Sequence, residues 1–242
     1  MRFAVVGDES VGTAIREAGG SVVSPDEEPS ADAVVAVGES SVADAVFDSA
    51  FDCPVFPVDC GAPWSVPRRE LTDAISSVTA GDGRLFEHPI LSVTVGGDQV
   101  GRALFDTMLI TSEPARISEY GVAHVGPEAP VDTPTDESDD DWVSVDEFRA
   151  DGVVVATPLG STGYARAAGG SVVGPNAGVA VVPVSPYATR TDTWVFQPPL
   201  RLTVERDDTP VSLVVDDGVV CDVSPSDPVY VTVDGTATLL SR

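Results

Sequence analysis

Lysine is absent from this chain of 242 residues, and all thirteen of its basic residues are arginines. Acidic residues number 39, so the formal net charge is −26. Because such a surface repels phosphate backbones, and Arg68-Arg69 is the one adjacent basic pair in the sequence, we predict no nucleic-acid partner. Self-repulsion destabilises such a protein at low salt and is screened at molar salt, where the Debye length is about 3 Å. The charge is spread along the chain, which favours a halophilic protein of a saline cytoplasm over a surface that recruits a basic partner.

Cysteine is scarce as well: Cys53, Cys60 and Cys221 are odd in number and form no Cys-x-x-Cys pair. This pattern indicates neither a disulfide framework nor a zinc site, so we predict no bound structural metal. Long apolar runs are also lacking, since no stretch approaches the roughly 18 residues that cross a membrane. The first residues lack the basic region and apolar run of a signal peptide. We therefore expect a cytoplasmic protein with no membrane partner.

The character of the sequence changes near residue 85. Before it, buried-type strands such as Ala33–Val37 alternate with helical segments, which predicts a doubly wound α/β domain over residues 1–84. After it, β-rich runs separated by Gly, Pro and Asp predict a β-sandwich-like domain over residues 85–225. The segment 226–242 is predicted to return to the first domain.

Individual elements follow from the same patterns. Helices are predicted at residues 42–50 and 69–78 in the first domain. In the second domain, strands are predicted at 91–95, 101–111, 117–125, 152–156, 179–184, 200–204, 211–215 and 229–233. Residues 126–141 are rich in Pro and acidic residues without periodicity, and we expect an exposed loop there.

Three turns that contain glycine are candidates for a ligand-binding loop. The turn at residues 7–12 has neither the dinucleotide-binding nor the P-loop glycine spacing, so it is interpreted as a plain strand-to-helix connection. Gly96-Gly97-Asp98 separates two strand-like runs and is typical of a hairpin turn. Residues 37–41 follow a predicted parallel strand, at the edge where open α/β sheets bind ligands. The single glycine there, Gly38, allows a phosphate less access to the backbone than a glycine-rich loop would.

Residues 151–164 are the strongest candidate for a ligand-binding segment in the sequence. A buried-type strand leads into a turn dense in small and hydroxyl residues, which a purely structural turn would not require. Ser161 and Thr162 offer hydroxyls and free amides, Tyr164 offers an aromatic face, and Asp151 offers a carboxylate. Thr157 and Gly160 belong to the same turn. This composition predicts a turn that holds a flat ligand close to the backbone, as a dinucleotide would lie.

Residues 151–164 resemble the signature of the NAD kinase family, Asp-Gly-hydrophobics-Ala-Thr-Pro-Thr-Gly-Ser-Thr-Ala-Tyr. Residues 168–176 resemble its Ala-Gly-Gly-Pro-Ile-Val-x-Pro-Asn, and 183–187 its Pro-Ile-x-Pro-His. Residues 103–106 resemble its Ala-Leu-Asn-Glu, and 215–218 its late Asp-Gly turn. The resemblance extends over about residues 33–233. It implies an α/β domain joined to a β-sandwich domain with NAD or NADP between them. It also implies ATP or polyphosphate with Mg²⁺ as donor, and homodimers or homotetramers whose sites are completed by a neighbour.

The family's catalytic loop, Gly-Gly-Asp-Gly-Thr, aligns with residues 37–41. Its aspartate, which removes the proton from the ribose 2′-hydroxyl, is Glu39 here, and two of its three glycines are replaced. The family's ligand-contacting Asn is Phe105, which leaves Asp106 in the place of the following Glu. The resemblance thus makes Glu39 the catalytic residue. It makes the binding residues Gly38, Asp106, Asp151, Thr157, Gly160, Ser161, Thr162 and Tyr164.

Two functions remain open at this point. The first is an NAD kinase with an altered loop, which phosphorylates NAD to NADP. The second is a non-catalytic relative that binds the dinucleotide as a sensor or regulatory subunit, because the binding turn is better retained than the loop around Glu39. An oxidoreductase of the Rossmann type is excluded by the missing glycine fingerprint in the first turn.

Overall fold

The structure is a computed structural model that describes residues 1–24, 31–113, 116–126, 141–189, 191–206 and 209–242. The chain forms two compact units, Met1–His88 with Thr236–Arg242, and Pro89–Gly235. The corresponding boundaries expected from the sequence are residues 84 and 225.

The first unit is a parallel sheet with helices. Its elements are β1 (Arg2–Val6), α1 (Gly12–Glu17), β2 (Ser21–Val22), β3 (Ala33–Val37), α2 (Glu39–Phe47), β4 (Val55–Val58) and α3 (Leu71–Ser77). The strand order is β2-β1-β3-β4, and all of these neighbours are parallel. Leu239, near the end of the chain, pairs in parallel with Val55 of β4.

The composition of β3 explains why helices surround this sheet. Its sequence is AVVAV, and its first four residues are buried. Successive side chains of a strand point to opposite faces. Val35 packs in a core with Ile15 of α1 and Ile75 of α3, while Val34 points to the other face, and α2 contacts β3 and β4. A strand that is covered on both faces is a continuous apolar run, as β3 is.

The second unit is built of antiparallel strands. Its elements are β5 (Arg84–Val95), β6 (Asp98–Ala103), β7 (Asp106–Thr111), β8 (Ser118–Val125), β9 (Trp142–Ala150), β10 (Gly152–Ala156), α4 (Tyr164–Ala167), β11 (Val179–Val184), β12 (Trp194–Phe196), β13 (Leu200–Val204), β14 (Val211–Val215), β15 (Gly218–Val223) and β16 (Val229–Ser241). The chain passes between the units within β5 and again within β16. One sheet of this unit has the order β12-β11-β10-β7-β14-β15, and the other contains β13 between β8 and the first residues of β16.

Apolar residues of both sheets meet in one core. Val153 of β10, Leu202 of β13 and Tyr120 of β8 belong to the same buried cluster, which is the arrangement of a β-sandwich. On the outer face of the first sheet, Val154 of β10 packs in a second cluster with Ala165 of α4. Strand β10 is therefore buried on both sides, and the turn that follows it is anchored between a sheet and a helix.

The predicted fold class, an N-terminal doubly wound α/β domain followed by a β-sandwich-like domain, is confirmed. The strand bounds at Ala33–Val37, Gly152–Ala156 and Val179–Val184 are as predicted. The hairpin turn at Gly96-Gly97 is also present, with positive φ at both glycines, between β5 and β6.

Other predicted elements were wrong in detail. Residues 101–111 form two strands, β6 and β7, because the chain turns at Leu104-Phe105. Helix α2 begins at Glu39 instead of residue 42, directly after the positive φ of Gly38. Strands β9, β12 and β15 were not predicted. The predicted acidic loop lies almost wholly outside the described residues. Among the helices of the described ranges, none has the length and hydrophobicity that a membrane crossing requires.

Candidate functional site

The turn after β10 is fixed by the hydroxyl of Thr157. This hydroxyl donates to the carbonyl oxygens of Leu104 at 2.8 Å and Phe105 at 3.0 Å. The backbone N–H of Thr157 donates to the same Phe105 carbonyl at 2.9 Å, and the N–H of Gly160 approaches the Thr157 oxygen at 3.3 Å. Because Thr157 is fully buried, its side chain shapes the turn from inside.

Gly160 lets this turn lie directly on the backbone of the neighbouring segment. A Cβ atom at this position would overlap the carbonyl group of Phe105. The overlap could not be relieved by the rotation of a side chain, because the neighbouring atoms belong to the backbone. Glycine is therefore required at this position for close packing between two backbone segments. From the sequence alone, this use cannot be distinguished from the close approach of a ligand to the backbone.

The two hydroxyls after Gly160 are also used within the protein. Ser161 is fully buried, donates to the Pro158 carbonyl at 2.7 Å and accepts the N–H of Val173 at 2.9 Å. The hydroxyl of Thr162 donates to the Leu159 carbonyl at 2.9 Å. The sequence suggested that these hydroxyls face a ligand. In the structure, both hydroxyls form hydrogen bonds to the backbone of the protein. Tyr164, which is exposed, is more accessible to a ligand than they are.

Tyr164 and Asp106 are the accessible members of this end of β10. Tyr164 begins α4 and is 45% exposed, so its ring is available for stacking. Asp106 begins β7 and pairs with Ala156, the last residue of β10. The structure therefore brings Asp106, Thr157 and the start of α4 to one edge of the sheet.

Asp151 lies at the other end of β10. It precedes Gly152, which pairs with Ile110 instead of with Asp106. Six residue steps at about 3.3 Å each place Asp151 roughly 20 Å from Thr157 along the strand. Within one chain, Asp151 therefore lies far from the turn of residues 157–164, because the extended strand β10 separates the two ends of the signature.

The backbone at Asp151 is held by Tyr120 of β8. The phenol of Tyr120 donates to the Asp151 carbonyl at 3.2 Å. Burial, followed by the charge of Asp151, raises the pKa of Tyr120, so the phenol keeps its proton and remains a donor. No sequence pattern connects these two residues, because Tyr120 lies in β8 and Asp151 is the single residue between β9 and β10.

A cavity of about 460 Å³ lies beside this second end of β10. Arg149 is close to the ring of Tyr187, with its guanidinium carbon 5.8 Å from the ring centre. Tyr187 is 76% exposed. The rest of the cavity lining consists of four carboxylates and three other residues: Glu119, Asp146, Glu147, Asp192, Phe148, Ala188 and Thr191. The second unit thus presents two separate polar regions, one at each end of β10.

Gly38 and Glu39 belong to the first unit. Gly38 follows β3 with φ 87° and ψ 157°, a conformation that strongly favours glycine, and its N–H donates to the Val58 carbonyl at 2.9 Å. Glu39 is exposed in the first turn of α2. A carboxylate is favourable at this positive end of a helix, but it also occupies the position where a phosphate would otherwise be attracted.

An ion-pair network that the sequence did not predict lies at the same edge of this sheet. Arg68 contacts Asp8, which follows β1, and Asp59, which follows β4. The N–H of Arg68 also donates to the Asp59 carboxylate at 2.9 Å. Hydrogen bonds from Ser10, and then from Arg68, hold the pKa of Asp8 below its ordinary value. The network joins the loops on either side of Gly38.

The residues of the described ranges include no group of three or more His, Cys, Asp or Glu side chains that could hold a metal ion. Mg²⁺ keeps most of its waters and commonly binds through substrate phosphates with one or two carboxylates.

The chain is similar in sequence to archaeal NAD kinases. Residues 122–239 match the family model of the ATP-NAD kinase C-terminal domain. The NAD kinase of Methanopyrus kandleri is 29% identical over 195 residues, which cover 79% of this chain and 62% of that protein. The NAD kinase of Methanoculleus marisnigri is 32% identical over 196 residues, 78% of this chain and 66% of that protein. The matches thus span less than two thirds of the length of these relatives.

Solved structures show the same fold. An NAD kinase from Archaeoglobus fulgidus in complex with ATP superposes with a TM-score of 0.64 at 21% identity, covering 99% of this chain and 93% of that one. Yeast NADH kinase complexed with NADH also gives a TM-score of 0.64, at 18% identity, over 92% of this chain and 65% of that one.

Proposed function

Because this chain belongs to the NAD kinase family, we propose that it binds NAD at the turn of residues 157–164 and phosphorylates it to NADP. The observation that carries the proposal is the turn itself. Its hydroxyls and its central glycine are used to hold one rigid shape, and that shape leaves Tyr164 and Asp106 at the accessible edge. A turn ordered before the ligand arrives contributes to affinity, because its conformational entropy is already lost on folding.

The reaction transfers the terminal phosphoryl group of ATP or polyphosphate to the 2′-hydroxyl of the adenosine ribose. A new oxygen–phosphorus bond forms at the 2′-oxygen while the bond to the leaving phosphate chain breaks. The 2′-hydroxyl proton passes to the carboxylate of Glu39, the single carboxylate among residues 37–41. A positioned general base contributes about 10²–10⁴ in rate. Mg²⁺ enters as part of the donor and shields its phosphate charge.

A second candidate is a dinucleotide-binding sensor or regulatory subunit without catalysis. It is favoured by one observation, the absence of a glycine cradle around Glu39. Val37 and Ser40 stand where the family's loop has glycines, and Glu39 places a negative charge at the positive end of α2. Both features oppose the approach of a phosphate chain to this backbone.

We also propose a homo-oligomer in which Asp151 serves a neighbouring chain. The family resemblance implies sites completed by a neighbour. The separation of Asp151 from Thr157 along β10 supports this division, because a carboxylate that cannot reach the turn of its own chain remains available to a second copy. The net charge of −26 supports the further proposal that the protein works in a saline cytoplasm.

One experiment separates the two functions. The protein is incubated with NAD, Mg²⁺ and either ATP or polyphosphate, from about 0.1 M KCl to molar KCl, where screening strengthens. We measure NADP formation, NAD binding by calorimetry and the melting temperature in the same series. The kinase predicts NADP with at least one donor, and the sensor predicts NAD or NADP binding without turnover. Tyr164→Ala should weaken binding, whereas Val219→Ala, at an exposed valine of β15, should not.

Absence of binding at millimolar NAD and NADP would contradict both functions. A melting temperature that falls as KCl rises would contradict adaptation to salt.

A further inference from the structure

The residue that ties the candidate site to the rest of the second unit is Asp216, in the turn between β14 and β15. Its carboxylate accepts three backbone N–H groups, from Leu104 at 3.0 Å, Phe105 at 2.8 Å and Asp106 at 3.1 Å. Its own N–H donates to the Asp106 carbonyl at 2.8 Å. One side chain thus holds three successive residues that lie more than a hundred positions earlier in the chain.

These three N–H groups need a partner because the chain leaves the sheet there. Leu104 and Phe105 lie between β6 and β7, and both are buried. A buried N–H without a partner costs about 1–3 kcal/mol. A carboxylate has enough acceptor sites for all three donors, which one amide or hydroxyl oxygen lacks. The backbone of Asp216 has φ 49°, a left-handed conformation that Asp and Asn adopt more readily than other non-glycine residues.

The electrostatics of Asp216 agree with a role inside the protein. Burial raises the pKa of its carboxyl, and the N–H groups of Leu104, Phe105 and Asp106 oppose that rise. The neighbouring Asp217 is exposed, so the two adjacent carboxylates of the turn differ in their surroundings. Asp217 is therefore a natural control for the charge of Asp216.

A continuous series of contacts leads from Asp216 to the candidate site. Asp216 holds the N–H of Phe105, and the carbonyl of Phe105 accepts both the N–H and the hydroxyl of Thr157. Gly160 packs on that same carbonyl. Asp106, held by the same carboxylate, begins the strand that flanks the end of β10. The position of the turn and the position of Asp106 thus depend on one side chain.

We propose that Asp216 is a positioning residue for the dinucleotide site, which it sets through the backbone of residues 104–106. It acts without touching the ligand, by fixing the distance between Asp106 and the turn of residues 157–164. This inference rests on the proposed function, since it names what aligns the two sides of the NAD-binding edge.

The test compares Asp216→Asn with Asp217→Asn in the full chain. Both changes remove one negative charge from the same turn, and asparagine accepts the left-handed backbone of residue 216. At position 216, however, an amide NH₂ replaces one acceptor oxygen and faces a backbone N–H. We expect the Kd for NAD to rise at least about tenfold for Asp216→Asn, as when a hydrogen bond to a charged group is lost. Asp217→Asn should keep the wild-type Kd.

Two further measurements distinguish positioning from a general loss of structure. Amide hydrogen exchange should accelerate at residues 104–106 in Asp216→Asn, with the exchange of β13 and β8 unchanged. If turnover is present, KM for NAD should rise while KM for the phosphate donor stays the same. Asp216→Glu is the second variant, because it keeps the charge and moves the oxygens by one methylene. It too should weaken NAD binding.

Each outcome has a separate meaning. Wild-type NAD affinity in Asp216→Asn, or in Asp216→Glu, would overturn the positioning role alone. Equal weakening by Asp216→Asn and Asp217→Asn would also overturn it, because the effect would then be one of charge. Failure of the wild-type protein to bind NAD would overturn the proposed function itself, and the inference with it.

Discussion

The turn after β10 and the turn after β3 both follow a buried run of valine and alanine and both lead into a helix, yet they are held in different ways. In the first, side chains of the turn itself bond to nearby carbonyls, and Thr157 and Ser161 are fully buried. In the second, backbone bonds run from Gly38 to Val58 and from Val42 to Gly38, and the side chain that bonds to the turn, that of Cys60, comes from outside it. No described side chain caps the helix that begins at Glu39.

This difference bears on the proposed function, in which one turn binds NAD and the other supplies the general base. The turn of residues 157–164 has already lost its conformational freedom on folding, so a ligand meets a fixed surface there. The side chain of Glu39 is exposed in the first turn of α2. Such a carboxylate contributes to a reaction when bound substrates position the reacting hydroxyl against it, since a displacement of about 1 Å costs roughly 10²-fold in rate.

The largest effect on NADP formation is expected when the carboxylate of Glu39 is removed. Glu39→Gln keeps the size and polarity of the side chain and removes the base. We expect NADP formation to fall about 10²–10⁴-fold while the Kd for NAD stays within about twofold, because the binding turn is on the other unit. Turnover and calorimetry in molar KCl measure the two quantities separately.

The matched control for this change is Glu17→Gln, at an exposed glutamate that ends α1. It removes the same charge from the same unit without touching the turn after β3. Equal loss of NADP formation in both variants would show a general charge effect and would contradict the role of Glu39 as base.

The next largest effect is expected from alanine at the two turn glycines. Gly160→Ala places a Cβ 2.0 Å from the carbonyl oxygen of Phe105, and because this neighbour is backbone, we expect an overpacking cost of about 3 kcal/mol or more. Gly38→Ala finds no described atom within 4 Å but requires φ near 87°, so it costs about 1–3 kcal/mol through backbone strain alone. Urea unfolding should therefore show the larger loss for Gly160→Ala, together with weaker NAD binding.

Gly174→Ala serves as the control, because a Cβ at this position meets no described atom within 4 Å. It should leave both the free energy of unfolding and the Kd for NAD unchanged. If Gly160→Ala were as well tolerated as Gly174→Ala, the turn after β10 would not be packed on the Phe105 backbone as described above.

The sequence predicted the parts of this fold whose signal is local. Ala33–Val37 and Val179–Val184 are apolar runs bounded by turn residues, and their bounds were correct. The sequence pattern predicts a single strand over residues 101–111, because the break at Leu104 is stabilised by Asp216, which is remote in sequence. Strand β9, whose residues run WVSVDEFRA, was missed because its charged side chains conceal the alternation that marks a half-buried strand.

For the candidate site, the residue types were easier to predict than their roles. The hydroxyls of Thr157 and Ser161 suggested ligand contacts, but each bonds to carbonyls of the protein itself. Which way a hydroxyl faces depends on packing, which no spacing rule encodes. The resemblance also grouped Asp151 with Thr157, and only the strand between them shows that one chain keeps them apart.

The effect that is smallest near neutral pH concerns the thiol beneath the turn after β3. Cys60 is buried, and its Sγ donates to the Val58 carbonyl at 3.2 Å. Burial, followed by the charge of Glu39, raises the pKa of Cys60 from 9.0 to about 12. Because the folded-state pKa is the higher one, the stabilising contribution of the protonated thiol is complete below pH 9 and is lost as pH rises toward 12. Within that window the unfolded chain ionises first, so the free energy of unfolding falls by about 1.4 kcal/mol per pH unit.

Urea unfolding of wild type and Cys60→Ala at about pH 8, 9.5 and 10.5, in one fixed molar concentration of KCl, measures this contribution. The other groups that titrate in the same range, such as Tyr120, are common to both proteins and cancel in the difference. The stability difference between the two proteins should shrink as pH rises, and two parallel curves would contradict the assignment. Adding Glu39→Gln to both should end the window at a lower pH, because the second cause of the raised pKa of Cys60 is then removed. If Glu39→Gln leaves this pH range unchanged, the carboxylate of Glu39 lies farther from the thiol of Cys60 than the structure places it.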